Sequence, residues 1–253
     1  MIENKIKRKC FFLILAVIFF LYGSYTTLDW TLYFFGIAPL KQPEIPYTRI
    51  TKVSSAFLCA ILAWISGKDG FDKRDIKRIR IVFASIAIGE IIFLMDIYAL
   101  GVISFGLTQI LLIWRNGNGL KEFLKPGVKK NNYIKAILTG AIVTIVMIFF
   151  YAFIIYPVLS KSPLFLLITI YAVLLSISLW MALMSLHIKF FDAKNSFLIA
   201  IGMSFFFVAD FLVGFNLSLE IGTQRIVTLY LTWVFYLPAL LLLSLSSFKW
   251  KNK

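Results

Sequence analysis

Charge is scarce in this chain of 253 residues: Asp, Glu, Lys and Arg make up 15% of it and hydrophobic residues 60%, whereas soluble domains carry about 25% charged residues. Too few polar side chains remain to coat a core against water, which excludes a water-soluble globular fold. Histidine occurs once and cysteine twice, and neither Cys10 nor Cys59 has metal-ligand spacing. Both cysteines read as packing residues, and a zinc hydrolase lacks its ligands. There is no G-x-S-x-G elbow and no P-loop, so acyl-serine chemistry and nucleotide-driven transport lack required parts. The expectation is a protein without metal or cofactor.

What the chain has is apolar runs. They fall at about 11–28, 49–66, 79–96, 98–114, 135–157, 163–186, 195–216 and 226–248, each near the ~20 residues that cross a ~30 Å hydrocarbon core. The runs are continuous, whereas barrel strands alternate over about ten residues. The prediction is an all-α polytopic membrane protein with eight transmembrane helices, forming one integral membrane domain over 1–253. The stretch from Ile81 to Trp114 is too long for one crossing. Asp96, Tyr98 and Gly101 at its middle mark a tight hairpin.

Orientation follows from the 26 basic residues. The group before span one, the second and fourth connections, the residues after span six and the C-terminal lysines together hold 21 of them, including Lys7, Arg78, Arg80, Arg115, Lys129, Lys189, Lys251 and Lys253. The alternate set holds only Lys41, Arg49, Lys52, Lys161 and Arg225. The positive-inside rule then places both termini in the cytoplasm, in the cell membrane. Because this topology accounts for the net charge of +14, no nucleic-acid partner is needed. The same basic residues are placed to hold anionic lipid headgroups. Trp30, Trp114 and Trp250 sit at span ends as interface anchors. The first run follows a basic stretch like that of a signal peptide, but it lacks an A-x-A-like cleavage site and reads as a retained span. Oligomeric partners are left open.

Most acidic residues fall in connections, where Asp69, Asp72, Asp75 and Glu122 read as solvated beside lysines. Glu90 in span three and Asp210 in span seven do not, and an intramembrane carboxyl must turn inward to a partner. Counted from the basic flanks, Glu90 lies about 16 Å and Asp210 about 22 Å across, close enough for one shared cavity. Gln109 falls at similar depth on span four, with Gly106 one turn before it to permit close helix approach. Gly89 adjoins Glu90, and Gly214 lies one turn after Asp210. Lys52 enters span two from the opposite side, placed either to reach that cavity or to snorkel outward. Asp96 reads as a hairpin residue and His187 as a headgroup-level one.

In order and spacing, Lys52, Gly89-Glu90, the segment from Tyr98 through Gly101 and Phe105 to Gln109, Ala209-Asp210, and Phe235-Tyr236-Leu237-Pro238 resemble the YhhN family of eight-span membrane proteins, which includes the lysoplasmalogenases. Against that family's pattern, Glu90 stands for Asp, Tyr98 for Phe, Gln109 for His, Ala209 for Ser and Pro238 for Gln. The resemblance implies a membrane hydrolase acting on a lysophospholipid, the vinyl ether of a lysoplasmalogen being cleaved to a fatty aldehyde and a glycerophospho-headgroup compound. Such a reaction needs an acid, a negative stabiliser and water, which two carboxyls can supply as they do around the glycosidase cation. Glu90 and Asp210 are the candidate pair. Gln109 and Tyr236 are candidates for orienting water or the leaving oxygen, and Lys52 for holding a carboxylate charged or meeting the substrate phosphate. A proton- or ion-coupled transporter and a non-catalytic member of the same fold stand as the alternatives.

Overall fold

The computed structural model describes residues 4–37, 45–125, 130–188, 190–220 and 222–250. Lys41, Lys129, Lys189, Lys251 and Lys253 of the charge argument lie outside them, as does the side chain of Glu122. Among the described residues every regular element is helical: α1 Lys5–Phe34, α2 Pro46–Ile65, α3 Lys73–Leu94, α4 Tyr98–Asn116, the short α5 Leu120–Phe123, α6 Lys130–Phe150, α7 Tyr156–Leu159, α8 Phe165–Met184, α9 Ala193–Ser218 and α10 Thr223–Leu245. A π turn, Tyr151–Ile155, joins α6 to α7 just ahead of Pro157.

All eight apolar runs are therefore helical, but seven rather than eight of the resulting rods are long and apolar enough to cross a membrane. The exception is α3. It has 22 residues, yet Lys73, Arg74, Lys77, Arg78 and Arg80 crowd its first turns and Glu90 sits near its other end. The chain carries the stamp of an integral membrane protein, with Phe20, Ile137, Ile145 and Phe153 among the large apolar side chains left on the outside.

Local chemistry sets the helix ends. The Asn4 and Asp72 carboxamide and carboxylate accept the first free N–H groups of α1 and α3, from Ile6 and Arg74 at 2.9 and 2.8 Å, as good N-caps do. Between α3 and α4 the chain reverses through Met95, Asp96 and Ile97, and Asp96 takes a φ of 58°. Asp tolerates this left-handed region better than most residues. Arg49 then donates to the Asp96 carboxylate at 3.0 Å and to the α3 carbonyls of Phe93 and Leu94. Asp96 is the hairpin residue its position implied.

The long helices pack most closely in the pairs α3 with α4, α4 with α8, and α9 with α10. Gly89 and Gly101 let α3 and α4 approach: a Cβ at either would sit 2.7 or 2.6 Å from a Phe105 or Phe93 ring carbon. The basic end is closed by the segment after α10, where Phe71 N donates to the Ser247 carbonyl and Lys249 N to that of Asp69. Beneath it Asp75 is not solvated. It is fully buried and takes a two-pronged ion pair from Arg115, at 2.7 and 3.0 Å. A carboxylate on the first turn of α3 faces a guanidinium on the last turn of α4, and each excludes water from the other. Asp69 instead makes a loose contact with Lys7 at 3.8 Å.

Pro238 stands inside α10 and cannot donate to the carbonyl four residues back, that of Val234. Tyr22 of α1 supplies the replacement donor, its hydroxyl reaching Val234 O at 3.2 Å, and Tyr25 reaches Trp233 O at 3.5 Å. Tyr22→Phe is expected to lower stability by about 1 kcal/mol, read as a lower unfolding midpoint in detergent, with helix content unchanged.

Candidate functional site

Glu90 is buried near the far end of α3 and accepts a hydrogen bond from the Tyr236 hydroxyl of α10 at 2.6 Å. Asp210, on α9, accepts one from the Tyr171 hydroxyl of α8. The two carboxyls interact electrostatically with each other, and Tyr236 also feels Asp210 and Tyr171. Four helices thus bring two carboxyls and two phenols into one cluster. Tyr171 was missed in the sequence because a tyrosine within an apolar span reads as packing. Only its pairing with Asp210 reveals it.

The two halves differ in access. Glu90 and Tyr236 are buried, with the rings of Phe105, Phe206 and Trp233 packed around the Tyr236 ring at 6.3, 5.5 and 5.3 Å. Asp210 and Tyr171 are only half-buried. Gln109 is fully buried, with its amide beside the Tyr171 hydroxyl. Such an amide carries both a donor and an acceptor. Gly106 does not produce a tight crossing, since a Cβ there would come no closer than 3.9 Å to Leu174 and 4.0 Å to Tyr171. It leaves room beside Tyr171 instead. Gly214 is the tight one, with Phe150 2.8 Å from its would-be Cβ.

Lys52 does not snorkel: it is wholly buried in an ion pair with Asp29 of α1 at 2.7 Å. Its ammonium lies over three rings, Tyr25, Tyr230 and Trp233, at 5.6, 5.5 and 5.7 Å, a cation–π box. The reason is the length of α1, which continues to Phe34 and so carries Asp29 into the bundle opposite Lys52. The box and the carboxyl cluster share a wall, because Trp233 of the one stacks edge-on against Tyr236 of the other.

Two apolar surface grooves, about 710 Å³ along Phe19, Gly23, Thr27 and Tyr47 and about 430 Å³ along Phe57, Ile61 and Trp64, lie apart from these residues. Among the described residues no three His, Cys, Asp or Glu side chains converge as a metal-ligand set.

The model of the YhhN family matches residues 47–247. The chain belongs to the YhhN family. The match begins in the first turn of α2 and ends just beyond α10, so Lys52, Glu90, Gln109, Tyr171, Asp210 and Tyr236 all fall within the YhhN region and Asp29 falls outside it. No curated protein and no solved structure matches the chain.

Proposed function

We propose that this YhhN-family protein is a membrane-embedded hydrolase of lysoplasmalogens, with eight spans and both termini in the cytoplasm. The observation that carries the reading is the meeting of Glu90–Tyr236 with Asp210–Tyr171 in one cluster. Like charges in a low-dielectric interior do not both persist, so such a pair holds one proton between two carboxyls, as paired-carboxyl enzymes do. That is the equipment for a vinyl ether. The acid passes its proton to the β carbon of R–O–CH=CH–R′, and the electron pair of the double bond forms the new C–H bond. The adjacent carbon becomes an oxocarbenium ion, steadied by the remaining carboxylate. Water adds to that carbon and gives up a proton to the carboxylate. The hemiacetal then breaks its C–O bond to release R–OH and the aldehyde.

Asp210, half-buried and bonded by Tyr171, which in turn lies beside the Gln109 amide, takes the role of the acid that meets substrate. Glu90, enclosed and held by Tyr236, takes the role of the fixed negative charge. Gln109 orients water or the leaving oxygen. Lys52, wholly buried against Asp29 and three rings, takes the role of holding a carboxylate charged rather than that of meeting the substrate phosphate. For the topology, α3 would cross as the eighth span with its basic first turns at the cytoplasmic headgroups and Glu90 within the bundle. The test is mass spectrometry of a lipid panel incubated with detergent-purified wild type and the E90Q/D210N double variant. The expected result is fatty aldehyde from lysoplasmalogen with wild type only. Equal aldehyde from both, or none from wild type, overturns the reading.

A further inference from the structure

At the basic end of the bundle, where α1 begins, α2 ends and α3 begins, two cations converge on one point. A Cβ built on Gly67 would lie 3.3 Å from Lys7 Nζ and 3.8 Å from Arg80 Nη2. Gly67 has a φ of +45° and no side chain, so that ground stays clear. Asp69 lies 3.8 Å from Lys7, so these three described groups together carry one positive charge. A single phosphodiester anion neutralises it.

The same spot opens onto a groove. Arg80 donates from Nη2 to the Trp64 carbonyl at 2.7 Å and lies over the Trp64 ring at 5.6 Å, while its Nε is buried with no acceptor. Trp64 is 55% exposed. With Phe57, Ala60, Ile61 and Ile65 it lines an open apolar groove of about 430 Å³ along α2. An arginine at the mouth, an indole beneath it and an apolar channel below follow the polarity of a phospholipid from headgroup through interface to acyl chain.

We propose that this is a binding site for one anionic glycerophospholipid, its phosphodiester held by Lys7 and Arg80 over Gly67 and one acyl chain lying along Phe57, Ile61 and Trp64. A net-negative headgroup is selected over a zwitterionic one, since the latter brings a second ammonium to ground already positive. Arg78 takes no part, being stacked on Trp114 at 4.2 Å and bonded to Asn118. The site is separate from the carboxyl cluster and stands whatever that cluster does.

The test is native mass spectrometry of the full chain in detergent, titrated with phosphatidylglycerol or phosphatidylcholine of identical chains. Wild type is expected to retain the anionic lipid at least about fivefold better, and K7Q and R80Q each to reduce that retention about fivefold without changing retention of phosphatidylcholine. I61W, which fills the groove, is expected to reduce retention of phosphatidylglycerol, and millimolar glycerol 3-phosphate is expected not to displace it. R80Q also loses the Trp64 contact, so if it fails to fold the exposed K7Q and I61W variants decide. Equal retention of the two lipids by wild type, or unchanged retention by K7Q, overturns the proposal. Displacement by glycerol 3-phosphate also overturns it, because the site would then be one for a free phosphate monoester.

Discussion

Lys52→Met, with Asp29 left in place, is expected to destabilise the folded protein by about 3–5 kcal/mol, the magnitude seen when one partner of a buried ion pair is removed. The reason is asymmetry. Lys52 and Asp29 have almost no access to water, so deleting the ammonium takes the opposite charge from a buried carboxylate that solvent cannot reach. Removing both charges, as in K52M/D29L, takes away the attraction together with the desolvation penalty. The double variant should therefore recover most of the loss, and the coupling between the two positions should exceed that of any exposed pair, such as Arg49–Asp96 with side chains 41% and 61% exposed. Unfolding midpoints of the four species in one detergent supply the cycle. A Lys52→Met effect below about 1 kcal/mol, the level of exposed pairs, would mean that water reaches the box. Because Trp233 packs on Tyr236, the single variant should also disturb the Glu90 contact, whereas the double variant should do so less.

The pair Lys52–Asp29 also marks where sequence reading stops. The apolar runs are legible because crossing a membrane imposes a length and a composition, and a helix covers each run, with ends that differ by up to about six residues at α1 and α3. The hairpin at Asp96 is legible because no single helix spans 34 residues of bilayer and Asp suits a left-handed turn. Asp29 is not legible. It lies one residue past the apolar run that ends at Leu28, and its own charge breaks the run although α1 continues to Phe34. Asp75 fails in the same way: beside Arg74 and Lys77 it looks solvated, and its partner Arg115 stands 40 residues away. Charges within a run announce themselves by their cost, but charges at helix ends are settled by which ends meet, and that is tertiary information. Glu90 and Asp210 belong to the first kind, Asp29, Asp75 and Arg115 to the second. The α3 helix shows the converse. Its basic first turns, which help orient the chain, are what remove it from the set of helices apolar enough to span.

The carboxyl cluster yields the second large effect. Under the proposed hydrolysis, Asp210→Asn is expected to reduce aldehyde release about 10²–10⁴-fold, the usual share of a general acid–base group, which corresponds to about 3–5 kcal/mol of barrier. Glu90→Gln should reduce it through a different route, since an amide keeps the size and the contact with Tyr236 but brings no negative charge to the cation. The two variants are distinguished by their partners. Tyr171→Phe removes only the hydroxyl that bonds the substrate-facing Asp210, and Tyr236→Phe only the one that fixes Glu90 inside its aromatic wall. Each should cost far less than the carboxyl it serves, about tenfold for one hydrogen bond to a charged group. Adding Tyr171→Phe to Asp210→Asn should cost almost nothing more, because residues acting as a unit are not additive. The measurement is initial aldehyde release by all five variants and wild type, each first shown to retain its unfolding midpoint. Full activity in Asp210→Asn would remove the acid from the scheme. Additive losses in the Asp210/Tyr171 pair would show that the phenol serves something other than the carboxyl it touches.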